Sequence, residues 1–175
     1  MKKNNVILIG FMGCGKSTVG KKLADALAYE FRDTDAMIEE DYGKTISKMF
    51  EEDGEAYFRD AETELLKKLS VEADGMVLAT GGGMPMREEN ATLLKKVGTV
   101  VFLETTIVTI LSRLQKDTGR PLADGEDREA RLRPLFAKRL PVYRAVAEYI
   151  VNTEEKSVDV IVEEIKTVVN DATKK

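Results

Sequence analysis

The chain has 175 residues, 43% of them apolar and 33% charged, which suits one domain with a sizeable core and argues against disorder. A net charge of −4 sets aside a general nucleic-acid binder while leaving room for a local cationic pocket. One cysteine, Cys14, and no histidine rule out an internal disulfide, argue against structural zinc, and leave proton transfer to Asp, Glu, Lys, Tyr or water.

In chain order, "VILIG" (6–10) is a continuous apolar run and reads as a strand buried on both faces. A helix is predicted over 16–28, with Val19, Leu23, Ala26 and Leu27 at helical spacing. A short strand over 31–33 precedes helices over 36–41, 45–53 and 55–73. A second buried strand over 75–80 ends in Gly81-Gly82-Gly83. Then come a helix (87–97), a strand (98–104) and a helix (106–115). Residues 116–127, rich in Gly, Pro and charge, read as a mobile loop. A helical stretch over 128–147 should bend or break at Pro134 and Pro141. A strand (148–152) and a helix over 157–169, capped by Ser157, close the chain. Strands alternating with helices predict a parallel sheet with helices on both faces and a ligand site at the strands' carboxyl ends. No apolar run reaches the length of a membrane span, and the expectation is a cytoplasmic protein.

"GFMGCGKS" (10–17) fits G-x-x-x-x-G-K-[ST] between a buried strand and a helix. Gly10, Gly13 and Gly15 let the backbone turn its N–H groups toward phosphate, Lys16 reaches the outer phosphates, and Ser17 can ligate Mg²⁺. Cys14 reads as a small filler within the loop.

"FRDTD" (31–35) sets two carboxylates close to this phosphate site in the chain. A metal ion would reverse the repulsion they create. In an extended segment Asp33 and Asp35 would point the same way, into the cleft; either could instead cap the following helix. Arg59 has Glu55 at i−4 and Glu62 at i+3, so a surface ion pair is one reading. Gly81–Gly83 would admit a ligand to bare amides or simply form a flexible turn. Lys138, Arg139 and Arg144 read by default as solvated helix charges.

Together, "GFMGCGKST", "DTD", "FR" (58–59), "GGG" (81–83), "RPL" (120–122) and "KRLPVYR" (138–144) resemble the shikimate kinase family, in its order and over nearly the whole chain. The resemblance implies a single P-loop kinase domain over 1–175 with five parallel strands, transferring phosphate from ATP to the 3-hydroxyl of shikimate. It implies ATP contacts from Gly13, Cys14, Gly15, Lys16, Ser17, Thr18, Arg113 and Arg120. Acceptor contacts fall to Asp35, Arg59, Gly81, Gly82, Gly83 and Arg139, with the two arginines gripping the carboxylate. Mg²⁺ would be held by Ser17 and Asp33. Lys16, Asp35 and Arg120 would be catalytic, Arg120 from a lid over about 116–127. Phe50 and Phe58 match pocket-wall aromatics, and backbone near Thr153–Lys156 would hold the base. Ala79 stands where some members carry a hydroxyl near the metal's waters, and Thr80 is the neighbouring candidate. The implied partners are ATP and shikimate, with no nucleic acid or membrane and a monomeric chain. A nucleoside monophosphate kinase would need a base or phosphate pocket in place of the Arg59/Arg139 pair. A nucleotide-binding switch would show no acceptor-dependent turnover.

Overall fold

The computed structural model describes residues 4–117 and 125–173. β1 (Val6–Ile9) leads through the glycine-rich loop into α1 (Lys16–Leu27). β2 (Glu30–Asp33), α2 (Thr34–Tyr42), α3 (Ile46–Glu52) and α4 (Glu55–Glu72) follow. β3 (Met76–Ala79) runs into a 3₁₀ turn (Met84–Met86), then α5 (Glu88–Val97) and β4 (Thr99–Glu104). α6 (Ile107–Asp117), α7 (Gly125–Val146), β5 (Tyr149–Asn152) and α8 (Val158–Thr173) complete the order.

All five strands pair in parallel in the order β2-β3-β1-β4-β5. β1 is fully buried because alternate residues enter opposite layers. Ile7 and Ile9 join Phe11, Ile38, Leu66, Leu94 and Tyr143 on one face. Val6 and Leu8 join Val19, Leu23, Ile161 and Ile165 on the other, beneath α1 and α8. The register aligns Leu8 with Ala79, Ala79 with Asp33, and Ile9 with Phe102. The phosphate loop, the aspartates and the three glycines therefore leave the sheet at one edge.

Two expectations are corrected. Pro134 and Pro141 lie inside an unbroken α7. Each forfeits one helical hydrogen bond, but Leu132, Tyr143 and Val146 are buried against the core, and that packing holds the helix. The stretch 116–127 is not all loop: α6 reaches Asp117 and α7 starts at Gly125. Arg120 and the rest of 118–124 lie outside the described residues.

Candidate active site

The cleft has a nucleotide half and an acceptor half. In the nucleotide half, Gly15 caps α1 with φ 101°, a left-handed conformation that glycine adopts without strain. Lys16 opens the helix, and its Nζ donates to the carbonyls of Gly10 (2.7 Å) and Phe11 (3.1 Å). From α6, Arg113 Nη1 donates to the carbonyl of Cys14 at 3.1 Å and of Gly13 at 3.4 Å. A cavity of about 380 Å³ is lined by Gly13, Cys14, Gly15, Thr18, Arg113, Lys116 and Lys156. Cys14 is buried, as befits a filler.

Between the cavity residues Thr153 and Lys156 lies a cap that the sequence did not announce. Glu154 follows β5 and caps α6. Its Oε1 accepts from the Thr106 amide at 2.8 Å and from the Thr105 hydroxyl. Its Oε2 accepts from Thr109 Oγ1 at 3.0 Å. The Thr105 and Thr106 hydrogen bonds hold its carboxyl below the usual range.

Ser17 stands exposed at the start of α1. Asp33 is the N-cap of α2: its Oδ1 accepts from the amides of Asp35 (2.9 Å) and Ala36 (3.1 Å). This corrects the extended picture of the aspartate pair, since Asp35 lies in the first turn of a helix. The cap engages only Oδ1. Among the described residues no cluster of three or more His, Cys, Asp or Glu could hold a metal by itself. Ser17 and Asp33 thus offer a sparse oxygen set, which suits Mg²⁺ completed by water and phosphate. The Thr80 hydroxyl is buried and donates to the carbonyl of Leu8 at 3.1 Å. Glu104 is paired with Arg144 at 2.7 Å and belongs to neither half.

The acceptor half is organised by the three glycines, each of which faces a different side chain. A Cβ on Gly81 would stand 2.7 Å from Asp35 Oδ1, one on Gly82 3.2 Å from Arg139 Nη1, and one on Gly83 2.6 Å from Arg59 Nη1. Any larger residue would displace its partner. The segment is pinned rather than flexible. The Gly81 amide donates to Thr34 Oγ1 at 3.1 Å, and the Gly82 carbonyl accepts from the Tyr143 hydroxyl at 2.6 Å. Beyond it, Asn90 Nδ2 donates to Met84 O at 3.0 Å.

Arg59 is not part of a bland surface pair. Its Nη1 donates at 2.8 Å to Glu62, which is 0% exposed, and its Nη2 reaches Glu55 at 3.3 Å. Its guanidinium lies over the ring of buried Phe58, 5.3 Å from the centroid. Phe50 leans on Phe58 and is 40% exposed, so of the two expected wall aromatics one is core and one is surface. Arg139 lies over Phe11, 5.8 Å from its centroid. A cavity of about 430 Å³ is lined by Glu55, Arg59, Gly83, Met86, Arg87, Lys138 and Arg139. Lys138 and Arg139 thus both line this cavity, Lys138 from an exposed position and Arg139 part-buried.

Asp35 Oδ1 and Glu62 Oε1 are both buried and take no hydrogen bond from the protein. Burial raises the proton affinity of both carboxyls. Asp33 adds to the effect at Asp35, and Arg59 opposes it at Glu62. The charge of Lys16 is felt at Asp35, which links the two halves. Sequence reasoning missed Glu62, Thr34, Tyr143 and Arg87 as builders of the site. The spacing of Glu62 marked it as a partner of Arg59 but not as enclosed, and the other three carried no local sign of what they would touch.

Comparison with known proteins agrees with this geometry. A family model described as shikimate kinase matches residues 12–170. A shikimate kinase of Thioalkalivibrio sulfidiphilus is 47% identical over 93% of this chain and 85% of its own. One from Francisella tularensis subsp. novicida is 42% identical over 95% of each. The structure of a shikimate kinase from Acinetobacter baumannii in complex with shikimate aligns with a TM-score of 0.86 and 40% identity, covering 98% of this chain and 95% of that one. A gluconokinase from Sinorhizobium meliloti, 16% identical with a TM-score of 0.56, covering 96% of this chain and 92% of its own, shares the fold alone. A P-loop facing a cationic, glycine-floored acceptor cavity on a five-stranded parallel sheet is thus the setting of an ATP-dependent kinase, and the chain belongs to the shikimate kinase family.

Proposed function

We propose that this protein transfers the γ-phosphoryl group of ATP to the 3-hydroxyl of shikimate, giving shikimate 3-phosphate and ADP. The observation that carries the assignment is the glycine floor: Asp35, Arg139 and Arg59 each stand against one of three consecutive glycines. Two guanidiniums suit a carboxylate. A carboxylate oxygen without a protein donor suits a hydroxyl. Shikimate carries both groups on one ring.

In this reading Arg59 and Arg139 hold the carboxylate, and Asp35 Oδ1 accepts the hydrogen bond of the 3-hydroxyl. The raised proton affinity of Asp35 suits it to take that proton as the phosphoryl group arrives. The amides of the phosphate loop cradle the phosphates. Lys16 exchanges the carbonyls of Gly10 and Phe11 for phosphate oxygens. Arg113 and the backbone near Thr153–Lys156 face the base, and Gly13, Cys14, Gly15 and Thr18 line the nucleotide cavity. Ser17 and Asp33 would hold Mg²⁺, which supplies neutralising charge between the phosphates when bound. Arg120 takes the lid role that the family resemblance gives it. Most of the rate would come from alignment and charge stabilisation.

We read residues 1–175 as one kinase domain, monomeric and cytoplasmic. Among the described residues no helix is long and apolar enough to cross a membrane. The test is product identification. Phosphorus NMR of a reaction containing ATP, Mg²⁺ and shikimate should reveal a phosphomonoester on the ring's 3-oxygen. Inorganic phosphate alone, or an ester at another hydroxyl, would overturn the assignment.

A further inference from the structure

Two buried polar side chains beneath the acceptor half have no place in the reaction just described. Thr63 lies on α4, one turn after Arg59, and is 3% exposed; Asn90 lies on α5 and is 0% exposed. Their hydrogen bonds form a chain with one direction. Asn90 Nδ2 donates to the Met84 carbonyl at 3.0 Å, and a carbonyl can only accept. Asn90 therefore turns Oδ1 to Thr63, whose hydroxyl donates to it at 2.7 Å. The same hydroxyl lies 3.1 Å from the Arg59 carbonyl, but its one proton goes to the nearer acceptor. The Thr63 oxygen accepts in turn from Arg87 Nη1 at 3.1 Å, which also meets Asp60 at 2.8 Å. Met84 follows Gly83 in the chain, and its amide donates to the Gly81 carbonyl at 3.1 Å, so it moves with the glycine floor. Asn90 thus ties that floor to the helix that carries Arg59, whose Nη1 would stand 2.6 Å from a Cβ on Gly83.

We propose that Thr63 and Asn90 are positioning residues: the Thr63–Asn90–Met84 chain fixes the spacing between α4 and the glycine floor, and so sets how well Arg59 meets the acceptor's carboxylate. The inference rests on the reading that Arg59 grips that carboxylate. An apolar pair could fill the same space, but buried polar groups with every bond made hold one arrangement against slippage. A guanidinium grip on a carboxylate is sensitive to that spacing, because two N–H groups must align with two oxygens at once. Neither Thr63 nor Asn90 lines the acceptor cavity, so both act through Arg59, and the effect belongs to binding and not to the chemical step.

The test pairs Thr63→Val, which keeps the side chain's shape and removes its hydroxyl, with Thr63→Ser, which keeps the hydroxyl. In Thr63→Val the KM for shikimate should rise about tenfold, with kcat and the KM for ATP within about twofold of wild type. Thr63→Ser should stay within about twofold of wild type in all three. Asn90→Leu, which cuts the chain at both ends, should raise the KM for shikimate at least as far; if it does not fold, the Thr63 pair still decides. With shikimate methyl ester, which has no carboxylate charge, Thr63→Val and wild type should have the same KM. In an Arg59→Ala background, Thr63→Val should add nothing further. Equal rises in KM for the acid and the ester, a fall in kcat with KM unchanged, or a Thr63→Ser as impaired as Thr63→Val would overturn the proposal. A Thr63→Val variant that fails to fold, or is less stable with an unchanged KM, would make the chain framework alone and overturn it equally. Arg59→Ala separates the two layers of inference. If that variant keeps the wild-type KM for shikimate, the carboxylate reading itself fails. If it raises the KM while Thr63→Val does not, only the proposal for Thr63 and Asn90 fails.

Discussion

The two halves of the cleft are prepared in opposite ways. In the nucleotide half the cations rest on carbonyls of the phosphate loop itself: Lys16 on Gly10 and Phe11, Arg113 on Gly13 and Cys14. Those contacts are short-range and can be traded for phosphate. In the acceptor half the charges are part-buried and held against the framework: Arg59 is tied to the buried Glu62, Asp35 faces Gly81, and Arg139 stands between Phe11 and Gly82. There the unmatched groups are acceptors, Asp35 Oδ1 and Glu62 Oε1. One half offers cations alone, and the other sets unmatched carboxylate oxygens beside its arginines. The difference suits a kinase that binds a flexible polyphosphate on one side and a small rigid ring on the other.

If the halves are separable, their variants should damage different steps. The largest effect belongs to Lys16→Met, which should lower kcat by about 10³-fold, as loss of a transition-state charge contact does. Calorimetric binding of shikimate should survive that change, and its loss would join the halves. Next is Gly83→Ala, whose methyl would stand 2.6 Å from Arg59 Nη1. The KM for shikimate should rise about a hundredfold while that for ATP stays put, since a strained or displaced charge pair costs on the order of 3 kcal/mol. Glu62→Ala strips the same arginine of its buried partner and should destabilise the fold by about 3 kcal/mol in urea titration. An unchanged midpoint would mean that Arg59 relies on Glu55 instead.

Two smaller effects sharpen the contrast. Glu154→Ala removes the cap of α6, the helix that carries Arg113, and should raise the KM for ATP about fivefold while leaving shikimate unaffected. A matching change in the shikimate KM would place α6 in both halves. Asp35→Asn should abolish turnover yet stabilise the fold at neutral pH by about 1 kcal/mol, because a buried oxygen without a donor destabilises its charged form. The sign follows from the raised proton affinity of Asp35. Its favourable contribution is fully present below the ordinary value of 3.8 and is lost as pH rises through the folded value. The melting advantage of the Asn variant should therefore grow from pH 4 to pH 7. A gap that shrinks over that range would contradict the burial of Asp35.

The nucleotide half was legible because its chemistry is written locally. Gly10 to Ser17 form one continuous motif, and the buried strand and helix around it follow from apolar periodicity. The acceptor half depends on contacts between α2, α4, α7 and the residues after β3, distant in sequence. Asp33 was read as a possible cap, and it is one. The Arg59–Glu62 spacing announced a pair, but nothing in it said that Glu62 is enclosed. Tyr143 was part of a recognisable motif, while its bond to Gly82 spans 61 positions and has no local signature. Pro134 and Pro141 do not interrupt α7: core packing along the helix outweighs two missing helical bonds.

The most direct measurement is ADP release from ATP and Mg²⁺, with and without shikimate, for wild type beside Arg139→Ala. Shikimate should strongly stimulate the wild type, and Arg139→Ala should recover that stimulation only at far higher shikimate concentration. ADP release that ignores shikimate would rule it out as the acceptor, and an Arg139→Ala enzyme with the wild-type dependence on it would rule out the carboxylate grip.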